Sequence, residues 1–138
     1  MTEAIPRIER LRKRPDFLAA AKGLACRRGA VLVQALDRRD GSQAIRIGFT
    51  ATRRIGGAVQ RNLAKRRLRE AAGLLARLHA RAGCDYVLIA RSGTGSRPWP
   101  RLLDDIEAAL ISVAAELAAC RGELSLPSEQ PAEPDRAS

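Results

Sequence analysis

Aromatic side chains are nearly missing from this 138-residue chain, which has two Phe, one Tyr and one Trp. Its core must therefore be aliphatic, and the abundant alanine predicts close, helix-rich packing. Cysteine is sparse and scattered. Cys26, Cys84 and Cys120 form neither a metal-ligand spacing nor a disulfide framework. They point to a reducing, cytoplasmic setting and read as small buried hydrophobes. The single histidine, His79, has no Cys or carboxylate partner evident in the sequence, which argues against acid–base or nucleophilic catalysis by the protein itself. No apolar run is long enough to span a bilayer, and the start, MTEAIPRIERLRKRP, lacks an apolar signal core. P-loop, GxSxG and HExxH strings do not occur.

Acidic residues are scarce where the basic ones are dense. Residues 1–101 carry 23 Lys+Arg against 7 Asp+Glu, whereas residues 102–138 carry 2 against 8. The body is thus more basic than the net +10 suggests. Such a balance suits a polyanion, nucleic acid first and an anionic membrane surface second. Lysine is scarce too: 22 of the 25 cations are Arg, whose planar fork matches phosphate and stacks on bases. A biased genome composition can produce that ratio, but not the clustering. The length predicts one domain with a core that needs no metal or disulfide.

Along the chain, residues 1–14 read as a basic, flexible arm, 15–121 as the folded domain and 122–138 as an acidic Pro/Glu/Ser-rich disordered tail. Pro15-Asp16 open a short helix that Gly23 ends. AVLVQAL at 30–36 and QAIRIGFTATRR at 43–54 are strand-like and flank the Asp-Gly chemistry of DRRDGS, which predicts an antiparallel hairpin. In the second stretch Ile45, Ile47, Phe49 and Ala51 share one face, and Arg46, Gly48, Thr50 and Thr52 the other. A helix is predicted from Ala58 to Ala82, with Leu63, Ala64, Leu68, Ala71, Leu74, Leu75 and Leu78 inward. DYVLIAR at 85–91 reads as a central strand and SGTGSRPWP as a loop holding Trp99 as an anchor. The stretch 101–120 reads as an amphipathic helix whose Asp104, Asp105 and Glu107 favour the dipole of its opening turns. The fold class is α+β, a small mixed sheet with helices in the order α-β-β-(β)-α-β-α, with room for a further short strand near 24–28.

The densest signal is Arg53–Glu70, RRIGGAVQRNLAKRRLRE, with seven cationic side chains and one acidic. Arg61, Lys65 and Arg69 are spaced four apart and stack along one side of the helix, with Asn62 and Arg66 beside them. Arg53 and Arg54 end the preceding strand, and Gly56-Gly57 lets backbone N–H groups approach a phosphate. A merely solvated face would interleave Glu at i,i+4, and Glu70 is the only acid from Arg53 to Arg81. Arg67 alone falls inside the apolar arc, from which its head can snorkel. Phe17 reads either as a core residue or as a base-stacking platform.

The string RIGFTATRRIGGAVQRNLAKRRLREAA resembles the signature of the bacterial ribonuclease P protein component. Its pattern is R-x-G-x-x-x-[ST]-[KR]-[KR]-x-G-x-A-V-x-R-N-x-x-K-R-x-x-R-[EQ], met here from Arg46 to Glu70. Asp16-Phe17, YVLIAR and the last amphipathic helix fit the same layout. The resemblance implies a left-handed β-α-β crossover. It implies the protein subunit of a ribonucleoprotein endonuclease, whose partners are a catalytic RNA and precursor tRNA, with no membrane and no obligate protein partner. The RNA would carry the chemistry of removing the 5′ leader, and would hold Mg²⁺ together with the substrate. By position, Arg53, Arg54, Arg61, Asn62, Lys65, Arg66 and Arg69 would contact the catalytic RNA, while Phe17 and Arg46 would line the leader cleft. The chain departs from the pattern at Leu63, where the family has a second arginine. It also lacks the second cleft aromatic (Ala20 and Ala21 stand there) and has Gln34 where the first long strand often carries an aromatic. Two other readings are a non-catalytic RNA-binding protein and a DNA-binding regulator. The second lacks a helix-turn-helix pair before the basic helix.

Overall fold

The structure is a computed structural model that describes residues 7–120. The first six residues of the predicted arm and the acidic tail over 122–138 lie outside the described residues. In chain order the elements are β1 (Ile8–Arg10), α1 (Arg14–Ala21), β2 (Leu24–Arg28), β3 (Val31–Asp37), β4 (Ile45–Ala51), a single 3-10 turn at Arg53–Ile55, α2 (Ala58–His79), β5 (Cys84–Ala90) and α3 (Trp99–Cys120). The α+β class and the mixed sheet are as read from the sequence. No helix among the described residues is long and apolar enough to cross a membrane.

The sheet order is β1-β4-β5-β3-β2. β5 is parallel to β4 and antiparallel to β3, and β1 runs parallel to β4 at the edge. The predicted hairpin between the stretches at 30–36 and 43–54 does not form, because β5 lies between them. β5 is the most apolar strand and is covered on both faces, so it takes the centre. The Asp-Gly segment bends the chain as expected, with Arg39 at φ 55° and Gly41 at φ 81°, but it spans a wider gap. The true hairpin is β2–β3, closed by Gly29-Ala30 with Arg28 opposite Val31. β1 is the second correction: Ile8–Arg10 belong to the sheet and not to a free arm. The Ile45 N–H bonds the Arg7 carbonyl and the Leu11 N–H bonds the Ile47 carbonyl, and Leu11 is buried.

Two apolar layers enclose the sheet. On one face, Val31, Val33, Ile45, Ile47, Tyr86 and Leu88 pack against α2 and α3. On the other, Val87 packs with Leu11 and Ala20 of α1, flanked by Phe17, Leu36 and Ile89. α2 meets the core through Ala64, Leu68, Ala71, Ala72, Leu75 and Ala76. Leu63, Leu74 and Leu78, expected inward, are exposed. The small alanines let the helix sit close, and its buried arc is rotated toward them. Cys84 alone of the three cysteines is buried; Cys26 is half-buried and Cys120 exposed.

Polar groups inside the fold join elements rather than face water. Asp85 on β5 is 1% exposed and accepts from Arg46 Nε and Nη2 at 2.8 and 2.7 Å and from Arg38 Nη1 at 2.7 Å. Arg38 also donates to the Ala44 carbonyl, which fixes the β3–β4 connection. Arg67 does not snorkel: it donates to the carbonyls of Thr94 and Arg97 and lies over the Trp99 ring, tying the loop before α3 to α2. Trp99 is the first residue of α3, two residues earlier than predicted. Asp104, Asp105 and Glu107 therefore fall beyond its first turn. Asp105 accepts from Arg97 Nε at 2.7 Å and from the Ala30 N–H at 3.2 Å, and Glu107 lies 2.9 Å from His79 Nε2, a carboxylate partner that only the fold reveals.

Asp85→Ala is expected to cost about 3–5 kcal/mol, because it strands two largely buried guanidinium groups. Urea denaturation checks this. A loss below about 1 kcal/mol would show that the ion cluster does not hold the strands together.

Candidate nucleic-acid interface

α2 begins where Gly56 turns the chain at φ 141°, a conformation side chains disfavour. The Gln60 side chain accepts from the Gly57 N–H at 3.1 Å, closing the first turn of the helix. Arg61 Nη1 donates to the Gly56 carbonyl, which ties its stem to the same turn. From there Asn62, Arg66 and Arg69 are exposed on α2, Arg61 and Lys65 stand half-buried at the flank of its apolar seam, and Arg53 and Arg54 sit exposed on the 3-10 turn. The seven residues expected to contact RNA are thus gathered on one helix and the turn before it.

These cations are scarcely neutralised within the fold. Arg66 has a loose i,i+4 pair with Glu70 at 3.6 Å, and both are exposed, so that pair contributes little. Arg69 lies 5.8 Å from the centroid of the Phe49 ring. Arg53, Arg54 and Lys65 have no ion pair or side-chain hydrogen bond among the described residues. A turn and helix carrying these six cations against the single nearby carboxylate of Glu70 form an electrostatic surface suited to phosphates.

The opposite face of the sheet carries a cleft under α1. Phe17 is half-buried, with its ring over Gly48, where an added Cβ would stand 2.5 Å from Phe17 Cζ. Glycine at 48 is what gives the ring its seat. Arg10, Leu11, Arg12, Phe17 and Phe49 line a hollow of about 320 Å³ here. Gln34 lies on the same face, since Val33 and Ala35 on either side of it point into the other layer. Arg46 also faces α1, but it is not free: besides Asp85 it bonds Asp16 of α1 at 3.4 Å. The hydrogen bonds to Asp85 raise its pKa above the ordinary value. Arg46 positions α1, and with it Phe17, rather than offering an open cation.

Three features escaped the sequence reading. Arg10 and Arg12 looked like arm residues because a three-residue strand has no periodicity to detect. Phe49 was assigned only to a strand face, yet it stands at the strand's open edge. Arg91 and Ser92, with Thr52 and Arg54, line a hollow of about 280 Å³ at the carboxyl ends of β4 and β5. Two guanidinium groups and two hydroxyls there suit a phosphate, and only the parallel pairing of β4 with β5 brings them together.

Replacing Arg61, Lys65 and Arg69 together by Gln should weaken RNA binding and flatten the plot of log K against log salt by about 2–3, at roughly 0.7–0.9 per phosphate contact. The melting temperature should hardly move. An unaltered slope would remove these residues from the interface.

A model of the family described as Ribonuclease P matches residues 5–114. The chain is similar to the ribonuclease P protein component of Caulobacter vibrioides (strain NA1000 / CB15N), with 64% identity over 111 residues, 80% of this chain and 74% of that protein. The corresponding protein of Ruegeria pomeroyi is 53% identical over 102 residues, 72% of this chain and 82% of that one. Among solved structures, the ribonuclease P protein of Thermotoga maritima matches with a TM-score of 0.65 at 26% identity, over 75% of this chain and 96% of that one. The Staphylococcus aureus protein shares the fold at a TM-score of 0.64 and 24% identity, over 80% of this chain and 96% of that one.

Proposed function

The chain belongs to the ribonuclease P protein family, and we propose that it serves there as the protein subunit that binds the catalytic RNA through α2 and the 5′ leader of precursor tRNA through the α1 cleft. The observation that carries this reading is the sparsely neutralised cation face of Arg53, Arg54, Arg61, Lys65, Arg66 and Arg69, with Asn62 among them. It lies on the opposite layer from the one aromatic platform under α1, so two RNA segments can be held at once. The protein's work is positioning and electrostatics: it fixes the substrate's leader relative to the catalytic RNA and screens the repulsion between two polyanions.

Mg²⁺ belongs to this reading as the ion that supplies Lewis-acid chemistry at the scissile phosphate. The described side chains do not fit a site for it. They contain no group of three His, Cys, Asp or Glu able to hold a metal, and Asp16 and Asp85 are engaged by arginines. The ion is therefore assigned to the RNA and the substrate, and no step is routed through the protein. A cytoplasmic location accords with three cysteines that form no disulfide among the described residues.

The same reading includes a left-handed course for β4–α2–β5, against the usual rule. L-chirality supports it. Ile45 and Ile47 turn their side chains to α2 while their N–H and C=O, respectively, bond β1 and the residues flanking it. Viewed from α2 with β4 running upward, an L residue pointing its side chain at the viewer turns those groups to the right. β1 then lies on the right and β5 on the left, the left-handed sense.

Cleavage of precursor tRNA by the matching catalytic RNA at low Mg²⁺, with and without this protein, tests the function. Stimulated cleavage at the mature 5′ end is expected. Binding without stimulation at any Mg²⁺ level would favour a generic RNA-binding protein. Phe17→Ala should weaken leader-bearing precursor by roughly five- to a hundredfold, the size of one lost base stack, and mature tRNA hardly at all. Gly48→Ala, which pushes the ring off its seat, should act in the same direction. Equal effects on both RNAs would take Phe17 out of the cleft.

A further inference from the structure

We propose that the groove between β1 and α2 is a slot for one unstacked nucleobase of the catalytic RNA. The inference rests on the reading of α2 as the RNA-subunit face. It adds a point where that RNA is gripped by stacking and not by charge.

The groove has a volume of about 230 Å³. Its walls are apolar, formed by Ile8, Ile47 and the ring of Phe49, and Arg10 and Arg69 stand on its two sides. An apolar floor between two guanidinium groups matches a flat base whose flanking phosphates are negative. An apolar peptide would leave both cations unmatched. Glu9, the one acid at the rim, is half-buried and lies 3.4 Å from Arg7.

Gly73 supplies an independent observation. It sits inside the 22-residue helix α2 and also lines the groove. Glycine there costs about 1 kcal/mol against alanine. An added Cβ would meet no atom within 4 Å, so nothing in the fold requires the glycine. What its bare backbone does is keep the groove open. The strand edge opens at the same place: β1 ends at Arg10 opposite Ile47, so β4 from Gly48 onward has a strand on one side only. Arg69 belongs both to the groove and to the cation face of α2, which makes the slot continuous with that face and assigns the base to the catalytic RNA. Phe49 also borders the hollow beside Phe17, which makes the leader the rival source.

The test is the affinity of the full-length protein for the matching catalytic RNA, without precursor tRNA, over a range of salt. Phe49→Leu, Gly73→Ala, Gly73→Leu and the Arg61/Lys65/Arg69 triple variant are compared, each with a melting curve. Phe49→Leu and Gly73→Leu should weaken binding by roughly five- to a hundredfold while leaving the salt slope unchanged. Gly73→Ala should raise the melting temperature yet bind more weakly, a pairing that a purely structural glycine would not show. If the groove variants bind as wild type while the triple variant is weakened, the slot is refuted and the function stands. If the triple variant is unaffected as well, both fall. A loss confined to leader-bearing precursor gives the slot to the leader and overturns the assignment. Should Phe49→Leu lower the melting temperature, the two Gly73 variants decide.

Discussion

The buried carboxylate of Asp85 organises this molecule. It lies on the central strand, where Oδ1 accepts from both Arg38 of the β3–β4 connection and Arg46 of β4, and Oδ2 accepts from Arg46. One ionised group in the interior would be costly, and here it is matched by two guanidinium forks that bond it from both sides. The consequence is topological. β5 is added late in the chain, between two strands that precede it, and Asp85 is where all three segments meet. Arg46 then extends the link to Asp16 in the first turn of α1. The helix that carries Phe17 is thus fastened to the centre of the sheet, and the aromatic platform inherits that placement.

Charge is sorted by layer. α2 buries alanine and leucine; Arg66, Arg69 and Arg77 face outward, and Arg61 and Lys65 stand half-buried at the edge of the seam. The exception, Arg67, shows what the fold does with a cation that cannot face water: two loop carbonyls and the Trp99 ring satisfy it. An interior arginine thereby becomes the clamp for the loop that leads into α3. The other arginines are held more lightly, Arg61 by the Gly56 carbonyl, Arg66 by Glu70 and Arg69 by the Phe49 ring, and the hydrogen-bonding capacity they keep is the physical basis for giving them to RNA. In the proposed function this division is what brings two nucleic-acid segments together on one small domain.

How much of this was legible in the sequence follows from the range of each interaction. The helices, the alternation of β4 and the cation face are set by local periodicity, and they stand nearly where the pattern put them. Strand partners are set by competition. The DRRDGS segment carried good turn chemistry, but the apolar β5 won the place beside both neighbours. β1 has three residues and left no pattern. Leu63, Leu74 and Leu78 were misplaced because hydropathy weighs a leucine above an alanine, whereas close packing of α2 favours the alanine. His79 and Glu107 are 28 positions apart, and only the docking of α2 on α3 pairs them. The signature string reached the family without any of this, since it records residues and not contacts.

The central claim is that opposite layers of one small domain hold two different RNAs. Crosslinking of the assembled three-component complex, with the attached peptides read by mass spectrometry, addresses it most directly. Peptides from Arg53 to Arg69 should carry nucleotides of the catalytic RNA, and the peptide bearing Phe17 should carry nucleotides of the leader. Leader nucleotides on α2 together with catalytic-RNA nucleotides on α1 would contradict the account.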